Sequence, residues 1–247
     1  MRGIWIIAAL GLSACPAGPS DSSDSTDSTD STDSTDSTDD TDPPEPIDIY
    51  GSGPFDCDFV LTEDLTGAAP SFRQTTVSVQ DAPTRDELSD GGRKVLDDGN
   101  LNPNSLQSEL LAFEVLHRCE SAALIYTEGE VPYQDPDGKK TDLVVTWDGA
   151  RIGVSVTRAV GFPPEDPWGV DKATALLTDK LADIPLSSAN VREDEAWAKQ
   201  ILFVAAYAPE HGDSLMQAWQ ALGPEVTGDI AVVVSITDGS DDFIYFR

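Results

Sequence analysis

Apolar positions recur along this chain in several rhythms, and each rhythm implies a different element. Over residues 105–118, Leu106, Leu110, Phe113 and Leu116 fall on one stripe at 100° per residue, the spacing of a helix that packs on a core. Residues 123–133, 140–147 and 151–159 are rich in β-branched and aromatic residues and read as three strands. The last two are separated by Asp148-Gly149, a two-residue hairpin signal. Helical spacing returns over 170–183 through Ala173, Leu176, Leu177 and Leu181, and Pro185 is expected to close that helix. Residues 201–208 and 229–236 are uninterrupted apolar runs, as in strands buried on both faces. Between them, Asp213 is placed to cap a helix ending at Leu222, ahead of Gly223-Pro224. Short strands are expected at 55–61, 72–80 and 243–246, loop or short helix over 81–100, and a helical turn within 193–200. The order helix, three strands, helix, strand, helix, strand predicts an α/β domain over 50–247, with a central mixed sheet flanked by helices.

Polar residues inside these patterns are the candidates for chemistry. Glu109 falls within the apolar stripe of the first helix, His117 projects into it, and Glu114 lies at its edge. A carboxylate at such a position must be paired, neutral or functional. The Asp-Gly turn also fixes a register, with Trp147 opposite Ala150, Asp142 opposite Ser155 and Lys140 opposite Thr157. By the two-residue period, Lys140, Asp142, Val144, Gly153, Ser155 and Thr157 are expected on one face, and Leu143, Val145, Ile152, Val154 and Val156 on the other.

The N-terminal segment has a different character. Met1-Arg2 precedes the apolar run 4–12, a charged start and a hydrophobic stretch of secretory-signal length, too short to span a bilayer. It ends in Leu12-Ser13-Ala14-Cys15, which resembles the lipobox of bacterial lipoproteins. That resemblance implies a signal peptide over 1–14, lipidation of Cys15, and a protein exported and lipid-anchored to the bacterial cell envelope, on its periplasmic face or the cell surface. Residues 15–49 carry an Asp-Ser-Thr repeat, with acids at 24, 27, 30, 33 and 36 and closing prolines at 43, 44 and 46. Such a segment has little to bury, so it is expected to be a disordered acidic tether. Weak calcium binding or glycosylation of its hydroxyls is the functional alternative.

The chain carries 45 acids and 15 bases, a net charge of −30; residues 1–49 hold eleven acids and one base, leaving 34 and 14, a net of −20, in 50–247. An anionic body without a Lys/Arg cluster disfavours nucleic acid as a partner, leaving the membrane through the lipid and an unknown protein or small ligand. With Cys15 lipidated in an oxidising compartment, Cys57 and Cys119 are expected to form a disulfide, with two free buried thiols the alternative. Closing that loop of about 60 residues would stabilise by about 4 kcal/mol on chain-entropy grounds. Two histidines, no CxxC, no nucleophile elbow and no phosphate loop exclude the common zinc, hydrolase and nucleotide signatures.

A helix with an inward acid, a strand that starts with Asp, and a hairpin into Val154-Ser155-Val156-Thr157-Arg158 resembles the core of the PD-(D/E)XK nuclease superfamily. The resemblance covers about residues 105–159 and implies a restriction-endonuclease-like core. In that family the helix acid, the strand Asp and a Glu-x-Lys on the next strand gather magnesium or manganese and activate water. Glu109 and Asp142 match the first two, as candidate metal ligands. Ser155 stands where the Glu would be and Thr157 where the Lys would be, so the resemblance implies a degenerate site. Lys140, expected across from Thr157, is the candidate to supply the missing ammonium. The expected function is a non-catalytic, lipid-anchored interaction module, with a metal-dependent phosphodiester hydrolase of rearranged site as the alternative. Arg158 is expected on the face away from Asp142, as an ion-pair or ligand residue.

Overall fold

A computed structural model describes residues 47–50, 62–163, 166–239 and 241–246. The expected signal peptide, Cys15, most of the tether, the strand at 55–61 and Cys57 lie outside these residues. The expected tether boundary at residue 49 is too late. Ile47 and Asp48 (β1) pair with Val77 and Ser78, the Ile49 N–H donates to Ser78 O, and Ile49 is fully buried.

The sheet has the order β1-β2-β7-β6-β5-β4-β3, with β2 (Ser71–Val79), β3 (Ala123–Thr127), β4 (Leu143–Trp147), β5 (Ala150–Ala159), β6 (Lys199–Ala206) and β7 (Ala231–Gly239). It is mixed: β1, β2, β7, β6 and β5 run parallel to one another, while β4 is antiparallel to both β5 and β3. The described helices are α1 (Thr62–Thr66), α2 (Asp90–Asp98), α3 (Leu106–Glu120), α4 (Val170–Asn190), α5 (Pro209–Ala221), α6 (Pro224–Thr227) and α7 (Asp242–Tyr245). Those that lie on the sheet form two layers, α3 with α2 and α7 on one face and α4, α5 and α6 on the other. None is long and apolar enough to cross a membrane.

Local chemistry explains why these segments take these forms. Asp148 and Gly149 both adopt positive φ, 47° and 76°, which lets a two-residue turn match the twist of β4 and β5. Every residue of β6 is buried because both helical layers cover it: Ile201, Phe203 and Ala205 pack toward α3, Leu202, Val204 and Ala206 toward α4. Helix α3 is buried continuously from Ser108 to Leu116, since α2 and α7 cover the side turned from the sheet. Cys119, near its end, is disulfide-bonded, with a partner outside the described residues.

Several elements differ from expectation. Helix α4 runs through Pro185 to Asn190. Burial of Ile184 and Ser187 outweighs the lost backbone bond, and Ser187 Oγ ties back to Ile184 O at 2.9 Å. Helix α5 starts at Pro209, whose fixed φ suits a first turn, so Asp213 lies exposed within the helix and does not cap it. The strand expected over 123–133 stops at Thr127, and 193–200 holds a single 3₁₀ turn before β6. Residues 243–246 do not form a strand. Strand β7 already has β2 on one side and β6 on the other, so no ladder is open, and the segment coils as α7 instead.

Candidate functional site

The candidate acids meet at the end of the sheet where β5 finishes and β4 begins. Glu109 lies in the first turn of α3 and is 2 % exposed. Its Oε1 accepts from Asn100 Nδ2 at 2.7 Å and Ser105 Oγ at 3.0 Å. Burial, and next the Asp142 charge, push its carboxyl up to about 8, against the opposing pull of those two donors. Glu128 adds to the rise, and its own Oε2 accepts from the Leu101 N–H at 2.9 Å.

Asp142 immediately precedes β4, and there the ladder breaks. From Trp147↔Ala150 to Leu143↔Val154 the pairing follows the register expected from the turn, and Leu143, Val145, Ile152 and Val154 share the α3 core while Val144 packs with Trp197 on the other face. The Asp142 N–H then goes to Val154 O at 3.1 Å, and its Oδ2 accepts the Val156 N–H at 2.7 Å. In unbroken register that N–H would face residue 141. The Asp142 carboxylate therefore replaces a backbone acceptor at the ladder's end. Burial is the main cause that raises it to about 7, opposed by the Val156 bond and by Lys180 on α4, and helped by Glu128.

The cluster expected around Asp142 does not assemble. Ser155 turns toward α4, where its Oγ meets Thr141 Oγ1 at 3.3 Å and Gln200 Nε2 at 2.9 Å. Gln200 in turn joins Ser187 and Ser188 of α4. The reason is the register break: Thr141, not Asp142, ends up beside Ser155. Thr157 follows Ser155 on the α4 face by alternation, opposite Val204 of β6. Lys140 lines a hollow of about 210 Å³ with Glu128 and Tyr133, and the ammonium that acts on Asp142 is that of Lys180.

The β5 positions that share a face with Glu109 are instead Val156 and Arg158. Val156 packs against the α3 core. Arg158 Nη1 donates to Asn104 O and Ile244 O at 3.0 Å each and to Tyr245 O at 3.4 Å, joining the entry to α3 with α7. Glu109 contributes to its electrostatic surroundings. Arg158 was expected on the face away from Asp142, and the structure places it near the other acid, Glu109. The two-residue period already placed 154, 156 and 158 on one face, so the proximity of Arg158 to Glu109 was recoverable once that face was assigned to the helix.

Two polar side chains of α3 serve the fold. Glu114 is fully buried, accepts from Ser89 N and Oγ at 2.9 and 2.7 Å, and pairs with Arg118. His117 holds Ala122 O at 2.8 Å through Nδ1 and stacks on Phe113.

Magnesium or manganese fits this arrangement poorly. Among the described residues no group of three His, Cys, Asp or Glu is placed to hold a metal ion. Glu109 favours its neutral form, one Asp142 oxygen is committed to a backbone N–H, and Val156 offers no side-chain oxygen.

No family model matches the chain, and no solved structure matches it significantly. The chain is similar to the AAC-rich mRNA clone AAC4 protein of Dictyostelium discoideum, 32% identical over 166 residues. The match covers 65% of this chain and 24% of that protein, so the chain spans about a quarter of its relative's length. The relative's name states no activity.

Proposed function

We propose that this protein is an exported, lipid-anchored interaction module, tethered at Cys15 through its acidic linker, whose domain keeps a restriction-endonuclease-like scaffold without its chemistry. Support for the scaffold comes from the order α3, β3, β4, β5, α4, β6, with an acid on the helix and an aspartate at the start of the second strand. One observation carries the non-catalytic reading. The Asp142 carboxylate is bonded to the backbone of Val156, an apolar residue on the face that Glu109 covers. A metal-binding oxygen is missing there, and the neighbouring cation, Arg158, is occupied with backbone carbonyls. The net charge of −20 over residues 50–247 argues further against a polyphosphate substrate.

Incubation of the purified protein with DNA and RNA in magnesium or manganese tests this directly, and no cleavage is expected. Cleavage that disappears in Asp142→Ala would overturn the non-catalytic reading and favour the hydrolase, whose support is the mutual reach of Glu109, Glu128 and Asp142. For the anchor, mass spectrometry of the mature N-terminal peptide is expected to show acyl chains on Cys15; an unmodified Cys15 in a retained leader would remove the lipid from the proposal.

A further inference from the structure

On the opposite helical layer, at the other end of the sheet, α4, α6 and the starts of β6 and β7 enclose a cavity of about 540 Å³. That volume lies within the range of small-molecule sites, roughly 300–1,000 Å³. Leu181, Ile184 and Ile230, each at most 3 % exposed, make an apolar floor, and Trp197 forms a wall. Gly153 lies against the indole so closely that a Cβ would sit 2.9 Å from Trp197 Cε2, which fixes the ring where it lines the space.

The polar atoms deep in this cavity are already engaged. Trp197 Nε1 donates to Ser188 Oγ at 2.9 Å, Ser188 donates to Gln200 Oε1, and Gln200 Nε2 is shared among Thr141, Ser155 and Ser187. Lys199 also borders the space, but its ammonium donates to Gly67 O and Ala69 O, on the α3 side of β6 by strand alternation. The Trp197, Ser188, Gln200 and Lys199 donors are thus taken by protein acceptors. At the rim, Asp229 and Glu225 are exposed and make no ion pair within 4.0 Å among the described residues, and the Asp229 charge also acts on the Lys199 ammonium.

We propose that this cavity binds an apolar organic cation, its hydrocarbon part against Leu181, Ile184 and Ile230 and its ammonium between the Trp197 ring and the carboxylates of Asp229 and Glu225. An aromatic wall and a rim of exposed carboxylates are the two elements that recognise a poorly hydrated cation. The floor supplies the burial that gives affinity. The site stands apart from Glu109 and Asp142 and does not depend on the nuclease-like reading.

Titration calorimetry of the purified full chain with hexyltrimethylammonium, and with hexanoate as the oppositely charged probe, tests this. Hexyltrimethylammonium is expected to bind at least tenfold tighter than hexanoate. The double substitution Asp229→Asn with Glu225→Gln, at exposed positions that leave the fold intact, is expected to weaken the cation about fivefold or more, the scale of partly screened charge pairs. Ala182→Trp, which fills the cavity from exposed α4, is expected to remove binding of both probes. Equal affinity for the two probes, no heat with the cation, or a double variant that binds it undiminished overturns the proposal. Should the tryptophan variant fold poorly, the double variant and the hexanoate comparison decide.

Discussion

Replacing Glu109 by Gln should make the protein more stable in alkaline solution and leave it nearly unchanged in acid. Glutamine has the shape of the neutral carboxyl and can still accept from Asn100 and Ser105, which both reach the same oxygen. The native carboxyl is raised from its ordinary 4.5 to about 8, chiefly by burial. A raised pKa in the folded state means that the stability gained by holding the proton is complete below pH 4.5. It erodes as pH climbs and is gone above about 8. At about 1.4 kcal/mol per pH unit the interval sets a ceiling of about 5 kcal/mol. Water entry and reorientation of Asn100 around the ionised group bring the expected difference at pH 9 to about 2–3 kcal/mol. Denaturant unfolding followed by tryptophan fluorescence at pH 5, 7 and 9 measures it. Asp142, raised from 3.8 to about 7, contributes in both proteins, so its loss of stability with rising pH ends earlier and cancels in the comparison above pH 8. Parallel stability profiles for the two proteins would refute the account, because Glu109 would then be as easily ionised in the fold as in the open chain.

Two further substitutions test the packing on either side of the sheet. Glu114→Ala takes from Arg118, whose side chain is 14 % exposed, its carboxylate partner while the bond to Glu87 O remains, and leaves the Ser89 N–H without its acceptor; a loss of about 3 kcal/mol is expected in thermal or denaturant unfolding. Gly153→Ala drives a methyl group into the Trp197 ring, with an expected loss of about 1–3 kcal/mol and a change in near-ultraviolet dichroism; an unchanged spectrum and stability would mean that the indole is not held there.

Much of the fold was legible because local chemistry and global architecture agree. The Asp148-Gly149 turn dictates the pairing of β4 with β5, and the apolar runs of β6 and β7 could be satisfied only between two layers. Glu109 was found by helical projection alone. Where the sequence misled, tertiary context decided. Pro185 breaks an isolated helix, but the end of α4 is pinned through Ser187 and Gln200. The aromatic segment 243–246 has strand character, yet its backbone carbonyls at 244 and 245 are claimed by Arg158 and the Tyr245 hydroxyl by Thr237. The site was harder still, because a strand register extrapolated one residue past its last pair is no longer a register. At Asp142 a side chain takes over from the backbone, and no periodicity in the sequence signals that exchange.

That exchange bears on what the acids are able to do. Glu109, Glu128 and Asp142 lie within electrostatic reach of one another, and Lys180 offsets only part of the field at Asp142. Burial and repulsion make ionisation of Glu109 and Asp142 costly, so near neutral pH this pair retains protons that a divalent-cation site would have to expel. In an active metal centre the gain from the ion exceeds that cost because several oxygens converge on it. Here one Asp142 oxygen is spent on Val156, whose side chain adds apolar packing on the same face. The arrangement stabilises the junction of α3, β4 and β5 as a buried, hydrogen-bonded and partly protonated cluster.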